Sequence, residues 1–545
     1  MTLSQVIDGW RAYGLLSLLS LALYLPGLAT LPPTDRDESR FVQASRQMLE
    51  SQDFLRIRFQ DEPRNKKPAG IYWLQAASVD LLSTPSSTAM WPYRLPSLLG
   101  ALTAVLLTFR FGQFWVGRDA AFWGAALLAA SLALTVEAHL AKTDAVLLAT
   151  VVAAQGALGE IYRRSRAGEP AGTVLPLLFW IAQGVGLLIK GPVTPLTSLL
   201  AGGALAIADR DARWLGRLHF LWGVPLMLLI AGPWLIAILA VTGGGFASES
   251  VGRDLLAKLI HGQESHGAPP GTYVIAALIT FWPGSLALAG AARLAWRERR
   301  EIAIRFLIAW VVPFWILMEI VPTKLPHYML PAYPALALLA GRALADATAG
   351  VRRHWSDFAA WSIWGLVALG LGGVLLFLPP RLAATVPFLG VLAVAGALAL
   401  AGATLLGLSR GKTLPWLALG SAVLIWASGF ALILPRIDTL WPSRSAAALV
   451  NDRDRVLRPV VVAGYAEPSI VFLLGTATKL ANGPEAALVL SKLPETLVLV
   501  GNREDAAFRA ALKKDSISVD SLGQVSGFDY SNGRAVTLTL YETAR

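Results

Sequence analysis

Cysteine is absent from all 545 residues, so no disulfide, thiolate nucleophile or thiolate-bound metal is available to this chain. That absence is compatible with an oxidising compartment. Charge is scarce too: Asp, Glu, Lys and Arg make up 15% of the chain, against about 25% in an ordinary soluble domain. With 55% hydrophobic residues and a mean hydropathy of +0.55, a soluble fold would expose large adhesive patches. Insertion into a bilayer removes that conflict. The 19 Trp suit a protein with many membrane–water boundaries, where amphipathic rings settle. The net charge of +11 sits in short clusters between apolar runs, which is the pattern of topology signals and lipid headgroup contacts. A nucleic-acid partner is therefore not expected.

What is present is a series of apolar runs of about 20 residues, each long enough to span a membrane. They fall at roughly 13–31, 92–109, 120–136, 144–162, 173–189, 192–208, 218–241, 271–292, 303–321, 327–345, 359–378, 384–408 and 413–434, about thirteen in all. Gly27-Leu28-Ala29 resembles a signal-peptidase site, but the run before it is longer than a signal peptide's, so an uncleaved first span is expected. Loop charge orients the set. Basic clusters follow the even-numbered spans: Arg110 and Arg118; Arg163, Arg164 and Arg166; Arg210, Arg213 and Arg217; Arg293 to Arg305; Arg342, Arg352 and Arg353; Arg410 and Lys412. The alternate short loops carry lone basic residues. The positive-inside rule then places the N-terminus in the cytoplasm. Two long outward segments, 32–91 and 242–270, hold interfacial helices and a mobile outer loop respectively. Residues 1–434 are expected to form the membrane domain, and 435–545 an extracytoplasmic α/β domain with strands at 460–462, 497–500 and 536–540.

The first outward loop carries charges that orientation does not explain. Thr34 or Asp35 can cap a helix, with Asp37 or Glu38 completing a capping box. Phe41, Ala44, Met48 and Leu49 then share one face, as in a helix lying along a membrane surface. A second helix is expected after Pro68. Asp144 stands at the outer end of the fourth span, where an ionisable group is costly and marks function. Asp37, Glu38 and Asp144 on one membrane face suit acid–base work. Lys67, Lys190 and Lys324 each abut a Pro or Gly break near a span end, and Arg253 lies in the second long loop. Cations fixed there suit a phosphate anchored in lipid. His261, Glu264 and His266 have no strong metal-site spacing, and no metal or other cofactor is expected.

On Asp37-Glu38-Ser39-Arg40 through Glu50, Lys67-Pro68 through Leu74, Lys142-Thr143-Asp144, Leu188 through Pro192 and Lys324 through Pro331, the chain resembles the polyprenyl-phosphate-sugar glycosyltransferases of GT-C fold. Within these it is similar to the bacterial lipid A aminoarabinose transferases and the protein mannosyltransferases. The resemblance covers roughly residues 10–340. It implies that a sugar carried on an undecaprenyl-type phosphate is moved, outside the inner membrane, to lipid A, core polysaccharide, another envelope glycan or a protein. It further implies Asp37 at the reacting centre, supported by Asp144, with Lys67 and Tyr328 on the carrier phosphate. One departure is Lys66, where the lipid A enzymes have Glu. A protein O-mannosyltransferase is the nearest enzymatic alternative. A lipid or polysaccharide transporter is the alternative of another class, but transporters place ionisable groups near the midplane rather than at one face.

Overall fold

The computed structural model describes residues 7–250, 252, 267–348, 354–407, 414–453 and 458–544. Helices occupy all thirteen apolar stretches. Among the described residues, seven helices are long and apolar enough to cross a membrane unaided, and two bent pairs raise the number to nine. Arg11–Tyr24, Val174–Lys190 and Val193–Asp209 are shorter apolar helices, and Tyr333–Thr348 completes the set.

Burial ranks the spans. In Asp144–Arg166, 94% of the apolar window is enclosed by other helices, against 17% in Phe220–Thr242. Asp144–Arg166 is thus the central post, and the lipid-facing helices surround it. Small residues set the closest approaches: a Cβ added at Gly341 would lie 2.3 Å from the Ala120 carbonyl oxygen, and one at Gly124 would lie 2.7 Å from that of Ala337. Helices 118–130 and 333–348 pack backbone to backbone there, as membrane helices do when they lack a hydrophobic drive to associate.

The third span is broken. Arg118–Ala130 and Leu132–Ala138 meet at 58°, where Ser131 caps the second piece. The freed groups find partners: Tyr24 and Trp426 donate to the carbonyls of Ala129 and Ala130, and the Leu132 N–H donates to Trp282. Side chains and backbone from neighbouring helices thereby make the break tolerable in lipid. The bend delivers Glu137 and the 139–143 loop to one end of the bundle.

The C-terminal part is a five-stranded mixed sheet in the order β4-β3-β5-β7-β6. Its strands are β3 (Val460–Ala463), β4 (Lys479–Ala481), β5 (Leu497–Gly501), β6 (Val519–Asp529) and β7 (Arg534–Thr543); the two-residue strands β1 (Arg58–Phe59) and β2 (Glu62–Pro63) form a separate hairpin in the first loop. Strand alternation builds two cores. Val462, Leu497 and Leu499 face helices Pro442–Arg453 and Pro468–Leu474, and Val461, Val498 and Val500 face helices Gly483–Lys492 and Asp505–Lys514.

This sheet unit changes the expected setting of the first loop. The Asp37–Ser51 helix does not lie open on a membrane surface. Phe41, Ala44 and Met48 enter the main core, while Val42 and Leu49 cluster with Phe472 of the sheet unit. Its polar face is covered as well: Gln43 donates to Thr476 at 2.8 Å and Arg46 to the Phe472 carbonyl at 2.8 Å. Those polar residues find protein partners instead of water.

Candidate active site

The loop before the Asp37–Ser51 helix is held by one buried arginine. Arg94, fully buried in the Trp91–Trp115 helix, donates to the Leu28, Leu31 and Pro32 carbonyls at 3.0, 2.7 and 3.0 Å. Its other donors grip both Glu38 oxygens, at 2.8 and 3.1 Å. Glu38 also accepts from the N–H and hydroxyl of Thr34 and from the Ala141 N–H. Burial raises its carboxyl, but Arg94 and these donors outweigh that and hold it below the usual carboxylate range. The helix starts later than expected, at Asp37, with Arg36 as its N-cap and no side-chain cap; Glu38 instead reaches back to accept from Thr34.

Asp37 is the first residue of that helix, and its side chain is 61% exposed. Arg64 lies 4.0 Å away, itself buried over the Phe41 ring and donating to the Tyr72 hydroxyl at 3.3 Å. The crowded surround raises the Asp37 carboxyl. The charges of Lys142, Arg64, Arg40 and His327 together outweigh that, so it stays below the usual carboxylate range.

Beyond Asp37, charges alternate inward. Lys142 donates to Glu137 at 3.1 Å; His327 Nδ1 lies 3.8 Å from the same Glu137 oxygen. Burial works against the Lys142 ammonium, but Glu137, Asp144 and Asp37 hold its pKa above the usual lysine range. Lys190 donates to Asp144 at 2.5 Å and stands 5.6 Å over the Tyr328 ring. The turn after Lys67 is brought close by Gly70, where a Cβ would meet the Leu188 carbonyl at 2.7 Å. The other end of the bundle holds Arg163, Arg164 and Arg166 with Glu160, Asp209 and Asp211. Arg305 reaches Asp209 there too.

Of the residues singled out in the sequence, Asp37, Asp144, Lys190 and Tyr328 stand at this one end, and Lys67 is half-buried in the turn leading to the Gly70–Leu82 helix. Two are placed differently. The Glu38 side chain is fully buried and gripped by Arg94, Thr34 and the Ala141 N–H, which places it in the support of the loop. Lys324 donates to the Met318, Glu319 and Val321 carbonyls at 3.2, 2.8 and 2.9 Å. It closes the end of the Ile302–Ile320 helix, so its charge is spent on orphan carbonyls. Arg253, His261, Glu264 and His266 lie outside the described residues. Glu137, Arg64 and Arg94 were not singled out. A carboxylate inside the apolar run around Leu132 is a signal that could have found Glu137.

Beside the Asp37 loop a cleft of about 810 Å³ opens towards the sheet unit. Arg36, Arg40, Arg503 and Arg534 line it, together with Glu467, Glu504 and Asp529, so its charge is mixed.

The chain is a multi-pass membrane protein of GT-C fold. The model of the dolichyl-phosphate-mannose-protein mannosyltransferase family matches residues 34–242. The chain is 26% identical over 437 residues to the undecaprenyl phosphate-alpha-4-amino-4-deoxy-L-arabinose arabinosyl transferase of Aeromonas hydrophila, covering 79% of this chain and 78% of that protein. Among solved structures it is similar to ArnT from Cupriavidus metallidurans bound to undecaprenyl phosphate, with a TM-score of 0.74 at 19% identity over 96% of this chain and 97% of that one. It is also similar to the archaeal oligosaccharyltransferase AglB from Archaeoglobus fulgidus, with a TM-score of 0.55 at 12% identity over 94% and 71%.

Proposed function

We propose that this chain transfers a sugar from an undecaprenyl-phosphate-type carrier to lipid A, lipopolysaccharide core or another envelope glycan, on the periplasmic face of the inner membrane. The observation that carries the reading is the gathering of Asp37, Lys142, Glu137, Asp144, Lys190, His327 and Tyr328 at one end of the bundle. The basic loops at the opposite end suit the cytoplasmic side. In this reading the C-terminal sheet unit is periplasmic.

The chemistry follows from charge. As the bond between sugar and carrier phosphate breaks, the phosphate gains negative charge. Cations already fixed in place stabilise that charge without reorganising. Lys67 and Tyr328 contact the phosphate, and Lys190 is aimed by Asp144. Asp37, kept ionised by its cationic surround, faces the reacting sugar. It takes the proton of an acceptor hydroxyl as general base; with a phosphate acceptor it orients the nucleophile and stabilises the oxocarbenium-like sugar. The mannosyltransferase match over 34–242 keeps protein O-mannosylation as the second reading.

Removing the Lys67 charge tests donor binding. Lys67→Ala should raise the donor KM roughly tenfold or more, the size of a charge-assisted hydrogen bond, while the acceptor KM stays put. An unchanged donor KM would remove Lys67 from the phosphate site.

A further inference from the structure

The segment that carries Asp37 is held from two sides, and the second holder is the β6–β7 hairpin of the C-terminal sheet unit. We propose that Tyr530, at the tip of this hairpin, is a positioning residue for Asp37, so that the sheet unit forms part of the machinery that aims the reacting carboxylate. This rests on the reading of Asp37 given above.

The contacts are specific. The Asp35 N–H donates to the Tyr530 hydroxyl at 2.6 Å. The Arg36 guanidinium donates to the Ser531 carbonyl, and the Ser469 N–H donates to Asp35 Oδ1 at 3.3 Å. Two residues immediately before Asp37 are thus tied to the sheet unit, and the residue immediately after it is tied to Arg94. Arg36 itself has φ +64°, a backbone setting that a side chain other than glycine keeps only when its surroundings over-determine it. The hairpin supplies that constraint.

Its tip is in turn fixed. Asn532 donates to Glu467 at 3.0 Å and to Asp529 at 2.9 Å, which stiffens the turn. The Tyr530 ring packs edge-on against Trp441, whose indole donates to the Leu434 carbonyl at 2.8 Å, at the end of the last span. A chain of direct contacts therefore runs from the last membrane helix through Trp441 and Tyr530 to the loop carrying Asp37.

Simple docking of the sheet unit does not need Tyr530. Phe472 sits among Val42, Leu49, Ala76, Val79, Met90, Tyr93 and Ala141, and Arg46, Gln43 and Gln60 bond to the same unit independently. Docking and aiming are therefore separable by experiment.

The test is Tyr530→Phe in the purified full-length chain, with Asp37→Asn and Asp37→Glu as companions. Tyr530→Phe should lower kcat roughly tenfold, as a small misplacement of a reacting group does. Donor KM should stay within about twofold, and the unfolding temperature in detergent within about 2 °C. In the Asp37→Glu background, where the carboxylate is already displaced, the same change should cost much less than tenfold. Wild-type kcat in Tyr530→Phe, or an equal loss in both backgrounds, would overturn the proposal. A loss of kcat that merely tracks loss of folded protein would overturn it too. If Asp37→Asn turns over normally, the reading of the site fails by itself. If Asp37→Asn is inactive and Tyr530→Phe is normal, only the positioning role fails.

Discussion

Asp37→Asn should abolish sugar transfer, lowering turnover by about a thousandfold or more, while membrane insertion and unfolding temperature stay those of the parent chain. In the proposed reaction the substitution removes a charge that faces the point where positive charge develops, and such electrostatic stabilisation is usually the largest single contribution to catalysis. Folding should tolerate the change. Asp37 is well exposed, its nearest ion-pair partner stands 4.0 Å away, and the helix it begins is anchored by Glu38 rather than by Asp37. The pH profile carries the same information. The Asp37 carboxyl is held below the usual range, so it remains ionised throughout neutral pH. Activity that depends on the anion is retained as pH falls to about 4, the ordinary carboxylate value, and is lost only below that. Turnover measured from pH 4 to 8 checks this, and a loss of activity centred near neutrality would assign the limiting group elsewhere.

Arg94→Ala should be the most damaging single change to the folded protein. It strips five hydrogen bonds from buried partners and strands the Glu38 carboxylate where neither side chain has any exposure. Removing one member of a buried ion pair costs about 3–5 kcal/mol. Arg94→Lys should not rescue it, since an ammonium cannot reproduce the planar fork that spans two carboxylate oxygens and three carbonyls. Adding Glu38→Gln to Arg94→Ala should recover part of the lost stability by removing the stranded charge. Unfolding temperature and folded yield in detergent measure all three variants. If Arg94→Ala is as stable as the parent chain, the pair does not hold the loop.

The membrane architecture was open to sequence reasoning because two separate signals agree. Runs near 20 residues mark the spans, and the alternation from Arg110 to Lys412 marks their ends. The C-terminal strands expected at 460–462, 497–500 and 536–540 were open for a similar reason, being β-branched and apolar, and they fall inside the longer observed strands. Strand β6 was not: Val519–Asp529 holds two glycines and a largely half-exposed face, and it pairs because β7 lies beside it. The Gly483–Lys492 helix was missed although Asn482 and Glu485 form a capping box that announces it.

In the site, Asp144 stood out because an ionisable group at a span end is costly, Lys190 because it abuts a Gly-Pro break, and Asp37 because orientation does not explain its charge. Glu38 and Lys324 were singled out on the same grounds as Asp37 and Lys190, and the structure sets them against Arg94 and against backbone carbonyls. Sequence alone does not separate a charge that faces substrate from one that grips backbone, because the partners of Glu38 lie 56 and 103 residues away in the chain. Arg94 was passed over for the same reason: at the start of a span it reads as a headgroup contact, and only the folded loop surrounds it. The cover that the sheet unit gives to Gln43 and Arg46 is also tertiary, and periodicity within the helix carries no trace of it.

The central claim is that the carboxylate and cations at this end of the bundle work on a sugar carried by a lipid phosphate. The most direct measurement uses the purified chain in proteoliposomes, given synthetic undecaprenyl-phosphate-linked sugar and lipid A. Each sugar appearing on the acceptor should be matched by one released undecaprenyl phosphate, no added nucleotide sugar should be needed, and Asp37→Asn should produce neither product. Transfer that requires a nucleotide sugar, or that proceeds in Asp37→Asn at the rate of the parent chain, would contradict the account.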